Sequence, residues 1–189
     1  LAAETPAGLA MLCTNNRWMM APHLRLLTER LMDIATGKTQ RLIVSMPPGH
    51  GKSTLVSHYG IVWMLGRFPE LSVLLTSYEA NFAAGWGRQC RDTLAMYGPQ
   101  VFGVQPDPRV SRADWWQVQG TKGKMLTAGS GGAITGKRFD VCVCDDLVRN
   151  SSDAMSPTLR DKQFDWFAST LYTRLEPGGR VIIVMTRWH

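Results

Sequence analysis

The segment Arg41-Leu-Ile-Val-Ser-Met-Pro-Pro-Gly-His-Gly-Lys-Ser-Thr54 leaves the chain few folds to choose from, because an apolar run feeds a glycine-rich turn that opens a helix. Strand, loop and helix in that order make a phosphate-binding loop. Gly49 and Gly51 let the backbone curl until successive N–H groups face one anion, and the N-terminal end of the next helix adds its positive pole. Lys52 can reach β- and γ-phosphates, and the Ser53 hydroxyl can ligate Mg²⁺. Pro48, Gly49, His50, Gly51, Lys52, Ser53 and Thr54 are thus the expected contacts of ATP. The strict pattern wants glycine at position 46; Met46 stands there, and Pro47-Pro48 stiffen the approach instead.

The rest of the chain supplies the framework such a loop needs. Leu24, Leu27, Leu31 and Ile34 follow helical spacing from Pro22, with Gly37 as the stop, whereas residues 1–21 carry few regular signals. A buried helix is expected from Lys52 to about Leu65, a strand from Leu71 to Thr76, and a helix from Glu79 to about Tyr97, loosened at Gly85-Trp86-Gly87. Hairpin strands are expected near Trp115–Val118 and Lys124–Thr127, and an apolar strand from Asp140 to Cys144. Ser151 to Pro157 reads as a polar loop. The stripe Phe164, Phe167, Leu171, Leu175 reads as a helix ended by Pro177-Gly178-Gly179, and Val181 to Met185 as the last strand. Strands without polar alternation, separated by helices, predict an α/β fold: a P-loop NTPase whose mostly parallel central sheet carries helices on both faces.

Two acids close the strand Val141-Cys-Val-Cys144, and a carboxylate there sits at the carboxyl edge of the sheet beside the phosphate loop. Asp145 is expected to be the metal-associated acid, and Asp146, facing differently, to orient or deprotonate the attacking water. The alternative is two acids that merely begin a solvated loop. Thr186, at the end of the Val181–Met185 strand, either senses the γ-phosphate or simply terminates the strand in a polar residue. Lys137 and Arg138 follow the run Gly129-Ser-Gly-Gly-Ala-Ile-Thr-Gly136 and either place an arginine finger or end a solvated loop. His23, before the phosphate-loop strand, either lines an adenine pocket or caps a surface helix; His58 reads as a core or boundary residue.

With 189 residues the chain has room for a single domain with a substantial core, residues 1–189. A net charge of +6 favours a polyanionic partner, with Arg88, Arg91, Lys122 and Lys124 as candidate phosphate contacts. No apolar run is long enough to span a membrane as a helix, so no membrane partner is expected. Cys13, Cys90, Cys142 and Cys144 lack zinc or disulfide-framework spacing and read as reduced, buried thiols. Starting at Leu1 and stopping just past a strand, the sequence reads as a fragment of a longer protein.

With these motifs placed, the sequence resembles the ATPase domain of the large terminase subunit of tailed bacteriophages. The resemblance rests on Pro47-Pro-Gly-His-Gly-Lys-Ser53, Thr76-Ser-Tyr-Glu79, Trp86-Gly-Arg-Gln-Cys-Arg-Asp92, Gly131-Gly-Ala-Ile-Thr-Gly136, Cys144-Asp-Asp146, Phe164-Asp-Trp-Phe167 with Ser169-Thr-Leu-Tyr-Thr-Arg174, and Met185-Thr-Arg-Trp-His189. It implies ATP hydrolysis that drives double-stranded DNA into a procapsid. It implies portal protein and small terminase subunit as partners, a homo-oligomeric ring when active, and a monomer as the isolated fragment. The place implied is the host cell cytoplasm, docked at the procapsid portal. Thr186 matches the coupling position and Asp145-Asp146 the acidic pair, while the nuclease belongs beyond His189. A helicase-type ATPase would need a second similar domain, and a small-molecule kinase an Arg-rich lid; a non-catalytic P-loop scaffold shares every motif.

Overall fold

The computed structural model describes residues 3–134 and 136–187. Helices α1 (Pro6–Cys13) and α2 (Pro22–Ala35) precede strand β1 (Arg41–Ser45). After the phosphate loop a π-helical stretch, Thr54–Gly60, runs straight into α3 (Ile61–Arg67). Strand β2 (Ser72–Ser77), helix α4 (Ala80–Val101) and strands β3 (Pro106–Ser111), β4 (Trp115–Val118), β5 (Lys124–Gly129) and β6 (Phe139–Asp145) follow. The chain then forms α5 (Ser151–Met155), α6 (Pro157–Trp166), a π turn at Phe167–Leu171, a 3-10 turn at Tyr172–Arg174, and β7 (Leu175–Met185).

Among the described residues these strands form one sheet in the order β1-β7-β6-β2-β5-β4-β3. Pairing is parallel from β1 through β5 and antiparallel for β4 and β3, as the α/β reading expects. One consequence of this order decides the site. The last strand, β7, is inserted between β1 and β6, with Ser45 beside Met185 and Asp145 beside Val184. Its end therefore lies between the phosphate loop and the acidic pair.

Period-two alternation sorts the side chains into two cores. Val141 and Val143 of β6 join Val44, Ile182, Val184, Val73 and Leu75 against α2, α3 and α4. Cys142 and Cys144 join Leu74 and Val181 against Trp166 and Leu171 on the other face. The thiols Cys90, Cys142 and Cys144 are buried, with burial raising each thiol pKa, whereas Cys13, expected to be buried, is half-exposed because it closes α1.

Several elements differ from expectation for local reasons. Helix α1 forms because Thr5 caps it, its Oγ1 accepting from the Gly8 N–H at 2.9 Å with Pro6 in the first turn. Within the expected polar loop Ser151–Pro157, Asn150 caps α5 by accepting from the Asp153 N–H at 2.8 Å. Helix α6 starts earlier than its apolar stripe, at Pro157 after the Ser156 cap, and Phe164 of that stripe is exposed. Pro177-Gly178-Gly179 lie inside β7 rather than ending a helix. Helix α4 passes through Gly85-Trp86-Gly87 unbroken, because Gly87 lets the helix approach Ala113 and Thr127 closely and its carbonyl accepts from Trp116 Nε1 at 3.0 Å.

His58 sits on the π-helical stretch, 2.8 Å from Thr93 Oγ1 on α4 and stacked on Tyr59. Burial pushes its imidazole pKa down to about 4, against an opposing hydrogen bond from the ring to the Gln89 backbone. The folded chain thus holds His58 neutral while the unfolded chain protonates near pH 6.5. This contribution to stability is complete above pH 6.5 and is lost as pH falls towards 4. Urea unfolding at pH 7.5 and pH 5 is expected to show a loss of about 2 kcal/mol attributable to this residue, and His58→Gln to remove that part of the slope.

Candidate nucleotide site

Strand β1 ends below a loop in which Gly49 and Gly51 take φ of 77° and 79°, left-handed values that a side chain would resist. Two histidines brace it: His50 Nδ1 donates to the Pro48 carbonyl at 2.9 Å, and His23 Nε2 donates to the His50 carbonyl at 3.2 Å. The second contact ties α2 to the loop. It places His23 at the loop, on the protein surface. Thr54 opens the π-helical stretch.

Lys52 is buried, with 7% of its surface exposed, and its Nζ lies 3.3 Å from Asp146 Oδ2. Asp146 turns away from the strand with φ of 44°, a left-handed conformation that aspartate tolerates better than most residues. Two contacts with β7 hold it there. Its Oδ1 accepts from the Thr186 backbone N–H at 3.0 Å, and its own N–H donates to the Val184 carbonyl at 2.8 Å. Asp146 therefore joins the loop lysine to the end of β7.

Asp145 points the other way and has no exposed surface. Its Oδ1 accepts from Ser53 Oγ at 2.8 Å, while Oδ2 is buried without a hydrogen-bond partner. Burial pushes the carboxyl pKa up to about 6; the Ser53 and Ser57 hydroxyls oppose that shift, the Asp146 charge adds to it and Lys52 offsets it. An orphaned carboxylate oxygen next to a loop serine suits a hard cation. Among the described residues no group of three or more His, Cys, Asp or Glu side chains could hold a metal alone. A Ser53–Asp145 pair fits Mg²⁺, which keeps several waters and shares phosphate oxygens.

The other predicted residues lie elsewhere. Lys137 Nζ stands 3.4 Å over the Trp115 ring on β4, and Arg138 donates to the Leu175 carbonyl at 3.1 Å. Trp115 is five strand positions from β1, roughly 24 Å away. The four DNA-contact candidates do not share one surface. Arg88 is exposed on α4; Arg91, also on α4, is engaged by Asp92 and the Ser111 carbonyl. Lys124 alternates with Met125 and so projects to the opposite face of the sheet, and Lys122 lies in the turn before β5. Thr135, Trp188 and His189 of the sequence motifs lie outside the described residues.

No protein-family model matches the chain. No curated protein matches it either. Solved structures do. The large terminase of bacteriophage HK97 superposes over 90% of this chain with a TM-score of 0.56 and 13% identity. The fold is shared with a phage large terminase. This agrees with the resemblance carried by the motifs. The large terminase of a thermophilic bacteriophage, solved with ATP-γ-S and with ADP, aligns over 82% of the chain at 12% identity and a TM-score of 0.48. The chain spans about a third of the length of these terminases, 34% of the HK97 chain and 36% and 37% of the two chains from the thermophilic phage.

The buried acid has a measurable consequence. Its pKa is raised on folding, so its contribution is most favourable below pH 4 and is lost as pH rises through about 6. Asp145→Asn removes that cost. At pH 8 the variant is expected to be more stable than wild type by up to about 3 kcal/mol, and the gain to vanish towards pH 4. Denaturant titrations at the two pH values check it; an equal or opposite difference at pH 8 contradicts the burial assigned to this carboxylate.

Proposed function

We propose that this chain is the ATP-hydrolysing motor domain of a large terminase, turning over ATP to move double-stranded viral DNA into a procapsid. One observation carries the reading. The loop lysine, the loop serine and two acids with separate roles converge at one sheet edge, and the end of β7 is hydrogen-bonded to the acid that faces the lysine. A non-catalytic scaffold has no need for a buried carboxylate whose second oxygen lacks a partner.

The loop N–H groups and Lys52 bind and orient the phosphates, and Ser53 with Asp145 would hold Mg²⁺. When bound, Mg²⁺ withdraws charge from the transferring phosphoryl group. Asp146 is the base that orients the attacking water and takes its proton. ATP phosphates compete with Asp146 for Lys52, so nucleotide arrival frees the base. The same carboxylate holds the Thr186 N–H, so its release also loosens the end of β7, a route from nucleotide state to the DNA-moving parts. Lys137, stacked over Trp115 on β4, lies too far from β1 to complete this site within one subunit, and Arg138 is engaged by the Leu175 carbonyl at the start of β7. In a head-to-tail ring that flank would meet the next subunit's loop, which supports a trans-acting basic residue. Portal protein and small terminase subunit are the remaining partners in this reading, with the host cell cytoplasm as the setting.

Lys52→Ala is expected to abolish ATP hydrolysis and weaken ATP binding, while Asp146→Asn keeps Mg²⁺-ATP binding and loses about 10²–10⁴-fold in turnover. Phosphate release and equilibrium binding, measured side by side, separate these outcomes; a folded Lys52→Ala protein with unchanged turnover overturns the reading. DNA binding is expected to be sequence-independent, with each lost phosphate contact flattening the log-affinity against log-salt slope by about one. Titration of unrelated duplexes at several salt concentrations tests this, and a strong preference for one sequence contradicts a packaging motor.

A further inference from the structure

The two histidines at the phosphate loop take no part in the chemistry assigned above, yet they are prepared alike. His50 Nδ1 donates to the Pro48 carbonyl at 2.9 Å, and His23 Nε2 donates to the His50 carbonyl at 3.2 Å. A carbonyl oxygen only accepts, so each contact fixes the proton on the nitrogen that makes it. In the neutral rings the lone pairs are then left on His50 Nε2 and His23 Nδ1. An imidazole whose other nitrogen donates to a backbone carbonyl is the form in which histidine ligates metals.

The spacing fits one ion. The ring centroids lie 5.9 Å apart, with the planes at 59°. Two imidazoles on one zinc ion, each nitrogen about 2.0–2.1 Å from it, place their centroids about 5.2 Å apart at the tetrahedral angle and about 6.4 Å apart when opposed. Both side chains are exposed, so an ion can enter and the rings can turn onto it. We infer that His23 and His50 form a metal site of the zinc class, in which one divalent ion bridges His23 Nδ1 on α2 and His50 Nε2 in the loop. Among the described residues no group of three His, Cys, Asp or Glu side chains gathers to hold a metal, so water fills the remaining positions. Nitrogen ligands set this site apart from the Ser53–Asp145 pair, whose oxygens suit Mg²⁺. The positive N-terminal end of α2 opposes the ion and keeps its affinity below that of a three-ligand site. Occupancy adds a second tie between α2 and the loop, beside the contact of His23 with the His50 carbonyl. The inference goes beyond the nucleotide reading and does not depend on it.

The test is a calorimetric titration of Zn²⁺ onto the reduced protein in excess Mg²⁺. Cys13→Ser is carried in every protein compared, so that this half-exposed thiol cannot hold the ion. Saturable binding of one equivalent is expected. Losing even an outer-shell partner of a metal ligand costs about 10–100-fold in affinity, so His23→Gln and His50→Gln are each expected to weaken binding by about tenfold or more. The double variant is expected to lose little beyond either single one, because one imidazole alone does not hold the bridge. His58→Gln, which alters a histidine on another element, is expected to leave Zn²⁺ affinity within about twofold of the parent. Thermal melting in EDTA shows that each variant is folded; in Zn²⁺ the parent's melting temperature is expected to rise and those of the His23 and His50 variants to stay put. Should His50→Gln disturb the loop, His23→Gln, at the exposed start of α2, decides alone. No saturable binding, full binding by a folded His23→Gln protein, or binding that excess Mg²⁺ abolishes overturns the inference.

Discussion

Everything at this sheet edge depends on keeping a carboxylate charged where water does not reach. Asp145 has no exposed surface, and burial, only partly offset by its surroundings, raises its pKa to about 6. A buried charge is tolerable only when it is hydrogen-bonded or paired, and here the donor is the Ser53 hydroxyl at the end of the phosphate loop. The requirement runs backwards through the fold. The helix must present Ser53 to β6, the glycines must turn the chain sharply enough to place that helix, and β1 and β6 must lie in one parallel sheet with their carboxyl ends level.

The insertion of β7 between β1 and β6 turns this static arrangement into a responsive one. Strand order brings Thr186 to Asp146, and Asp146 to Lys52, in contacts of 3.0 and 3.3 Å. One carboxylate thus bridges a phosphate-binding lysine and the end of a strand. Its left-handed backbone is held by the Val184 carbonyl and the Thr186 N–H rather than by its own preference. Competition for Lys52 by a polyphosphate changes what Asp146 touches, and β7 is the first element to be affected. Coupling by a shared partner needs no long chain of contacts.

Much of this was legible because its signals are local. The apolar run into Gly49, Gly51 and Lys52, and the strand ending in Asp145-Asp146, carry their chemistry within a few residues, and the structure brings them together. Strand order is another matter, since no neighbour in sequence tells Thr186 that it will lie between them. Helices α1 and α5 went unread because their caps, Thr5 and Asn150, precede segments too short for periodicity to register. The four basic residues grouped by charge proved to occupy different faces, since charge says nothing about which side of a sheet a residue takes.

The central claim is that Lys52, Ser53, Asp145 and Asp146 form one Mg²⁺-ATP site. A crystal structure of the protein grown with Mg²⁺ and a slowly hydrolysed ATP analogue tests it most directly. The account predicts metal density about 2.1 Å from Ser53 Oγ, on the Asp145 side of the loop, with Lys52 Nζ moved from Asp146 to phosphate oxygen. Nucleotide bound elsewhere on the chain, or bound at the loop with the Lys52–Asp146 contact intact and no metal beside Ser53, would contradict it.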